Sequence, residues 1–235
     1  MSKHKVKHNY GTKEILDSLN TSAIDGERFI QKYAKPIGIF FAIVIIAVLG
    51  YVIYDNYVVV PKNIEASDLM VDAENLYNEG KTDQALGGKS SGISGFIDIA
   101  EEYGSTKAGK FAHLYAGITE FKKGNYQKAL EHFNKFDTSD KDLKAVKYGA
   151  IADAYAELNN TEEALNYMTQ AVNESSNAAT VYQFSKKAGI LAMSLNQNEK
   201  ALEFFQNIKD KFPDIDTSGE VDAYIERLKY ITGKQ

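Results

Sequence analysis

With 235 residues, 44% apolar and 25% charged, the chain has ordinary globular composition, which excludes a disordered or fibrous protein. Its formal charge of −5 is uneven, with +3 over residues 1–35 and −7 over residues 61–235, so the larger part is too acidic to favour nucleic acid as a partner. There is no cysteine, which removes disulfides, thiolate metal sites and cysteine nucleophiles from consideration.

Residues 1–35 contain two short helical patterns, EILDSL from Glu14 and ERFIQKY from Glu27, which are too brief to build a core. They predict a polar arm whose Lys3, His4, Lys5, Lys7 and His8 form a solvated basic terminus. Ile37 to Tyr54 then runs for 18 residues without a charge. At about 1.5 Å per residue such a helix is roughly 27 Å long, close to the ~30 Å hydrocarbon core of a bilayer. Pro36 and Pro61 are expected to bracket it, Val58 to Val60 to extend it, and Tyr51, Tyr54 and Tyr57 to form an interfacial aromatic belt. Arg28, Lys32 and Lys35 precede the span while Lys62 alone lies just beyond it, an asymmetry that keeps the amino terminus in the cytoplasm. A cleaved signal peptide fits less well, because 36 residues precede the run and no clear A-x-A site follows. The expected organisation is a cytoplasmic arm (1–35), a transmembrane helix (36–60) and a periplasmic domain (61–235).

From Ile64 onward apolar residues recur at helical spacing and nowhere alternate as in a half-buried strand, so the domain reads as all-α. Four segments end alike, GKTDQAL at Gly80, GNYQKAL at Gly124, NNTEEAL at Asn159 and NQNEKAL at Asn196. Their alanines, Ala85, Ala129, Ala164 and Ala201, are 44, 35 and 37 residues apart; the last two gaps suit one stacked helical hairpin each, and the first needs an insertion. Phe111 to Phe121 pairs with Tyr126 to Phe136, Tyr148 to Leu158 with Ala164 to Val172, and Val181 to Leu195 with Ala201 to Phe212, where Pro213 stops the helix. Leu69, Ala73, Leu76 and Tyr77 open an irregular first unit that GGKSSGISG interrupts before Phe96 to Tyr103 resumes. That insertion reads as a length-tolerant loop rather than a binding segment. Asn160 with Glu163, and Thr217 with Glu220, have capping-box spacing, and Val221 to Ile231 is expected to cap the last repeat.

This pattern resembles the tetratricopeptide repeat family. A small residue, an aromatic, the Ala and a large apolar residue fall at Gly117, Ala129 and Phe133, at Ala152, Tyr155, Ala164 and Ala171, and at Gly189, Ala201, Phe205 and Pro213. The family's early Trp is absent, only one repeat keeps its Pro, and Met168 replaces an aromatic. The resemblance implies a tetratricopeptide-like α-solenoid of about four degenerate repeats behind a single N-terminal transmembrane helix. One anchor followed at once by such repeats, with EEYGSTKAGKFAHLYAGI at Glu101, is also similar to the YfgM-like bacterial family. That likeness implies an ancillary subunit of the SecYEG translocon in the inner membrane, with translocon subunits, a membrane-anchored periplasmic chaperone or prolyl isomerase, or client polypeptides as protein partners. The alternative is a structural scaffold for an envelope or secretion complex.

No catalytic constellation is apparent, and neither an enzyme, a cofactor, a metal site nor a small-molecule substrate is expected. His113 and His132 lie on separate helices without a His or Cys at ligand spacing in the sequence, and read as surface or groove residues. GGKSSG is not a phosphate loop, since Asp83 stands where the first Gly belongs and no strand precedes it. If the hairpins stack as in the family, the first helix of each lines a concave groove. Candidate protein-binding residues there are Met70, Glu74, Tyr77, Leu114, Ile118, Phe121, Lys122, Asp153, Glu157, Lys186, Ile190 and Met193, some of them expected to pack between repeats. Apolar anchors with scattered charge would suit an extended or helical peptide.

Overall fold

The computed structural model describes residues 33–87, 94–216 and 218–234. The helical pieces expected in the arm, most of the Gly/Ser insertion and Thr217 lie outside them. Two compact units divide the chain, Met1–Val60 and Pro61–Gln235.

In the first unit the apolar run lies within a helix that extends over Tyr33–Asn78, the one helix among the described residues long and apolar enough to cross a membrane. Its apolar side chains from Ile37 to Tyr54 are exposed. Neither proline bounds it. Pro36 falls in the first described turn, and Pro61 is preceded by a π-helical segment, Asp55–Val59, in which the Val60 amide donates to the Asp55 carbonyl. Proline has no amide to offer the carbonyl four residues back; the wider π turn just before Pro61 lets the helix continue past it.

The second unit is all-helical among its described residues: α1 (Val60–Asn78), α2 (Thr82–Leu86), α3 (Phe96–Glu102), α4 (Lys107–Lys122), α5 (Tyr126–Lys135), α6 (Lys141–Glu157), α7 (Thr161–Glu174), α8 (Ala178–Ser194), α9 (Asn198–Lys211) and α10 (Glu220–Thr232). From α3 to α10 each helix packs on its sequence neighbour, and α4, α6 and α8 also touch in succession. These are the nearest-neighbour contacts of a solenoid.

The repeat register explains why. Five residues before each repeat alanine stands Gly80, Gly124, Asn159 or Asn196, with φ of 78, 79, 60 and 57°. The next amide in each case bonds the carbonyl five residues back, Lys81 to Leu76, Asn125 to Glu120, Asn160 to Tyr155 and Gln197 to Ala192, at 2.8–2.9 Å. These are left-handed caps that Gly and Asn adopt at low cost, and they turn the chain into an antiparallel partner. The four alanines that follow are fully buried. Twelve residues before them, Ala73, Gly117, Ala152 and Gly189 are buried too. In the last three units the residue four beyond the alanine is Phe133, Met168 or Phe205. A Cβ on Gly117 would lie 2.5 Å from the Phe133 ring, and one on Gly189 2.6 Å from the Phe205 ring. Glycine therefore faces each Phe, and alanine faces the slimmer Met168, so close helix approach is kept by a trade of volume across the hairpin.

The expected caps are partly realised. The Asn160 side chain accepts from the Glu163 amide at 3.4 Å. Before α10 the N-cap is Gly219, and the Asp216 carboxylate takes the Val221 amide at 2.8 Å while Ser218 takes that of Glu220. Val221, Ile225 and Leu228 of α10 close the last hydrophobic cluster, and Tyr224 stacks on Phe205 at 4.6 Å. The insertion in the first repeat is pinched at its base, since a Cβ on Gly95 would sit 2.3 Å from the Gly87 nitrogen. Only glycine allows the two backbones to meet there.

Candidate protein-binding groove

Helices α4, α6 and α8 begin at side-chain caps, Thr106, Asp140 and Asn177, each accepting from the amide three residues on. The caps fix where each helix starts, and so which residues emerge along their shared face. Ile118, Phe121 and Lys122 from α4, Ala150 and Asp153 from α6, and Phe133 from α5 line a mainly apolar cavity of about 250 Å³. Four of the twelve candidates thus meet at one place. Phe133, the ring opposed to Gly117, forms its buried floor.

The remaining candidates are spread along the unit. Met70 and Leu114 are buried in the first and second hydrophobic clusters and pack between helices. Tyr77 lies edge-on to Phe96 and Tyr115, with the Lys122 ammonium 4.4 Å above its ring. Met193 is half-buried against the last cluster, whereas Ile190 is 43% exposed.

Three of the five charged candidates already have an internal partner, Lys122 on the Tyr77 ring, Asp153 and Lys186 in ion pairs, and the other two lie beside tyrosines. Burial, and then the neighbouring Glu74 carboxylate, raise the pKa of the Tyr115 phenol. The Glu157 carboxylate beside Tyr126 is the first cause raising the pKa of that phenol, and burial the second. Asp153 holds the Lys187 ammonium through both oxygens at 2.7 and 2.8 Å. Lys186 donates to Glu220 at 2.5 Å, a bond that raises the lysine's pKa. The cavity consequently presents apolar surface rimmed by two charges engaged elsewhere, Lys122 on the Tyr77 ring and Asp153 with Lys187.

Among the described residues no group of three or more His, Cys, Asp and Glu could hold a metal ion. The histidines nonetheless correct their sequence reading, because His113 Nδ1 lies 3.4 Å from His132 Nδ1 across the α4–α5 hairpin. Their 19-residue separation matches that of Tyr148 and Tyr167, which pack ring to ring in the next unit at 6.2 Å. The repeat register therefore carried the signal that linear spacing hid.

The model of the tetratricopeptide repeat-like domain matches residues 27–216. The chain belongs to this family. No curated protein sequence matches it. Among solved structures this tetratricopeptide repeat-like chain is similar to MamA (TM-score 0.56, 16% identity, covering 72% of this chain and 83% of that one). It is also similar to YrrB, described as a TPR protein with an unusual peptide-binding site (TM-score 0.53, 16% identity, 71% and 77% covered). A third is BtubC from P. vanneervenii (TM-score 0.56, 12% identity, 77% and 78% covered). At these identities the likeness is one of fold, that of helical-repeat modules.

Proposed function

We propose that the chain is a membrane-anchored protein-interaction module. Residues 36–60 cross the bacterial inner membrane, residues 1–35 stay in the cytoplasm and residues 61–235 act on the outer face. The observation that carries the interaction reading is the apolar cavity of Ile118, Phe121, Phe133 and Ala150, a socket of about 250 Å³ on the face shared by the first helices of successive repeats. A socket of this size takes one bulky side chain of an extended or helical polypeptide, with the rest held by weaker contacts. The peptide-binding site named for YrrB supports the same use of the fold. The matched family domain begins before the apolar span, which supports reading anchor and repeats as one functional unit.

Tethering raises local concentration, so that weak contacts suffice beside a protein-exporting channel. The partners that follow from the YfgM-like resemblance are translocon subunits, a membrane-anchored periplasmic chaperone and emerging secreted chains. Site-specific photocrosslinking from Phe121 and Lys186 in intact cells tests the reading: capture of a translocon subunit, the chaperone or a secreted chain is expected, and capture of none overturns it. Protease added to spheroplasts should degrade the repeat domain, and carbonate washing should leave the protein in the membrane.

A further inference from the structure

The two histidines of the second repeat occupy a position that needs no histidine. The same pair of sites holds Tyr148 and Tyr167 in the third repeat, and Ser185 and Phe204 in the fourth. Rings or small residues fill this inter-helix contact equally well. What distinguishes the second repeat is two imidazole nitrogens at 3.4 Å, on helices that the Gly124 turn holds together. Two nitrogens, each about 2.0–2.1 Å from a tetrahedral zinc ion, lie roughly 3.3 Å from one another. The ring centres are 5.7 Å apart, so the nitrogens face nearly head-on, and a modest rotation of each ring turns both lone pairs toward one ion.

We propose that His113 and His132 form a bidentate site for a borderline divalent transition metal, Zn²⁺, Cu²⁺ or Ni²⁺, that clamps α4 to α5. Both side chains are half-buried, which leaves open positions for water or an outside ligand. Lys135 is the strongest charged side chain acting on His132 and outweighs Glu101 at His113, while Glu101 at both rings and Glu120 and Glu131 at His132 offset it in part. Without metal, one Nδ1–H donates to the other Nδ1; with metal, that proton moves to Nε2 of the same ring, and no net proton is released. The clamp joins the two helices that supply Ile118, Phe121 and Phe133, so metal would stiffen the socket they line.

The test uses the full-length protein in detergent micelles with His4→Gln and His8→Gln introduced, so that the amino-terminal histidines cannot contribute. Cu²⁺ titration followed by electron paramagnetic resonance should show one equivalent with two imidazole nitrogens, and Zn²⁺ calorimetry one site per chain. Loss even of an outer-shell partner costs metal sites about ten- to hundredfold in affinity, so His113→Gln should weaken binding by roughly tenfold or more. The double variant His113→Tyr/His132→Tyr copies the third repeat's pair, keeps the packing and should abolish the site. Zn²⁺ should raise the thermal midpoint of the parent protein and not of the tyrosine variant. Equal affinity in parent and tyrosine variant, or no two-nitrogen signature at millimolar metal, overturns the proposal and leaves a proton-sharing pair only.

Discussion

The volume trade across each hairpin can be measured by transplanting it. Gly189→Ala puts a methyl 2.6 Å from two Phe205 ring carbons, and that ring is fully buried and stacked on Tyr224 at 4.6 Å. Overpacking of this kind costs about 1–3 kcal/mol, while replacing a mid-helix glycine by alanine returns roughly 1 kcal/mol, so a net loss of about 1 kcal/mol is expected. Phe205→Met alone gives up ring volume and the stacking, a further loss of about 1–2 kcal/mol. The two together recreate the third unit's pairing of Ala152 with Met168, in which the same space is filled without a clash. The double variant should therefore be at least about 1 kcal/mol more stable than the sum of the single effects, beyond the ~0.5 kcal/mol within which independent sites add. Urea unfolding of the full chain in micelles, followed by far-UV circular dichroism, reads this directly, with the apolar span as a constant baseline. Strict additivity would refute the idea that the glycines exist to admit the phenylalanine rings.

Ser185 is fully buried, and its hydroxyl has no hydrogen-bond partner. An unsatisfied buried polar group costs about 1–3 kcal/mol, so Ser185→Ala should raise stability by roughly 1 kcal/mol in the same unfolding assay. The depressed pKa values of His113 and His132 mean that the unfolded chain binds more protons near their ordinary value of 6.5. Metal-free stability should then fall as pH drops from 7 toward 5, and His113→Gln/His132→Gln should flatten that limb in urea titrations at several pH values. Ala150→Trp, which fills the socket beside Phe133, should abolish crosslinking from Phe121 while leaving the unfolding free energy within about 1 kcal/mol, since Ala150 is only half-buried. Because the charged rim is internally paired, crosslinking yield from Phe121 should change less than about twofold between 50 and 300 mM salt, a range in which exposed, unpaired charges are strongly screened.

Much of this architecture was legible because it repeats. Alanine after a fixed turn, a small residue twelve positions earlier and a Gly or Asn at the left-handed position all follow from backbone geometry that each hairpin must satisfy anew. The places where reading failed are those where one residue answers to another far away. Pro36 and Pro61 look like helix ends in isolation, but the π segment before Pro61 carries the helix through. Before α10, Asp216 reaches the Val221 amide and Gly219 takes the cap position, an arrangement that spacing does not announce. His113 and His132 are 19 residues apart, meaningless until the repeat register aligns them with Tyr148 and Tyr167.

The groove residues show the same limit most sharply. Lys122, Asp153 and Lys186 read in the sequence as scattered charge that would steer a ligand, and nothing in linear spacing shows that Tyr77, Lys187 and Glu220 already engage them. Lys187, a neighbour of the expected Lys186, is the residue that reaches back to Asp153 and ties α8 to α6. Exposed pairs of this kind add little stability, about 0–1 kcal/mol each, so their value here lies in holding the rim side chains in defined positions. A ligand that recruited one of these charges would have to strand its present partner. On the proposed reading of this face as a binding groove, discrimination falls to shape, to which side chain fits between Ile118, Phe121 and Ala150 above the Phe133 ring, and such a module would accept many sequences that share one bulky apolar residue.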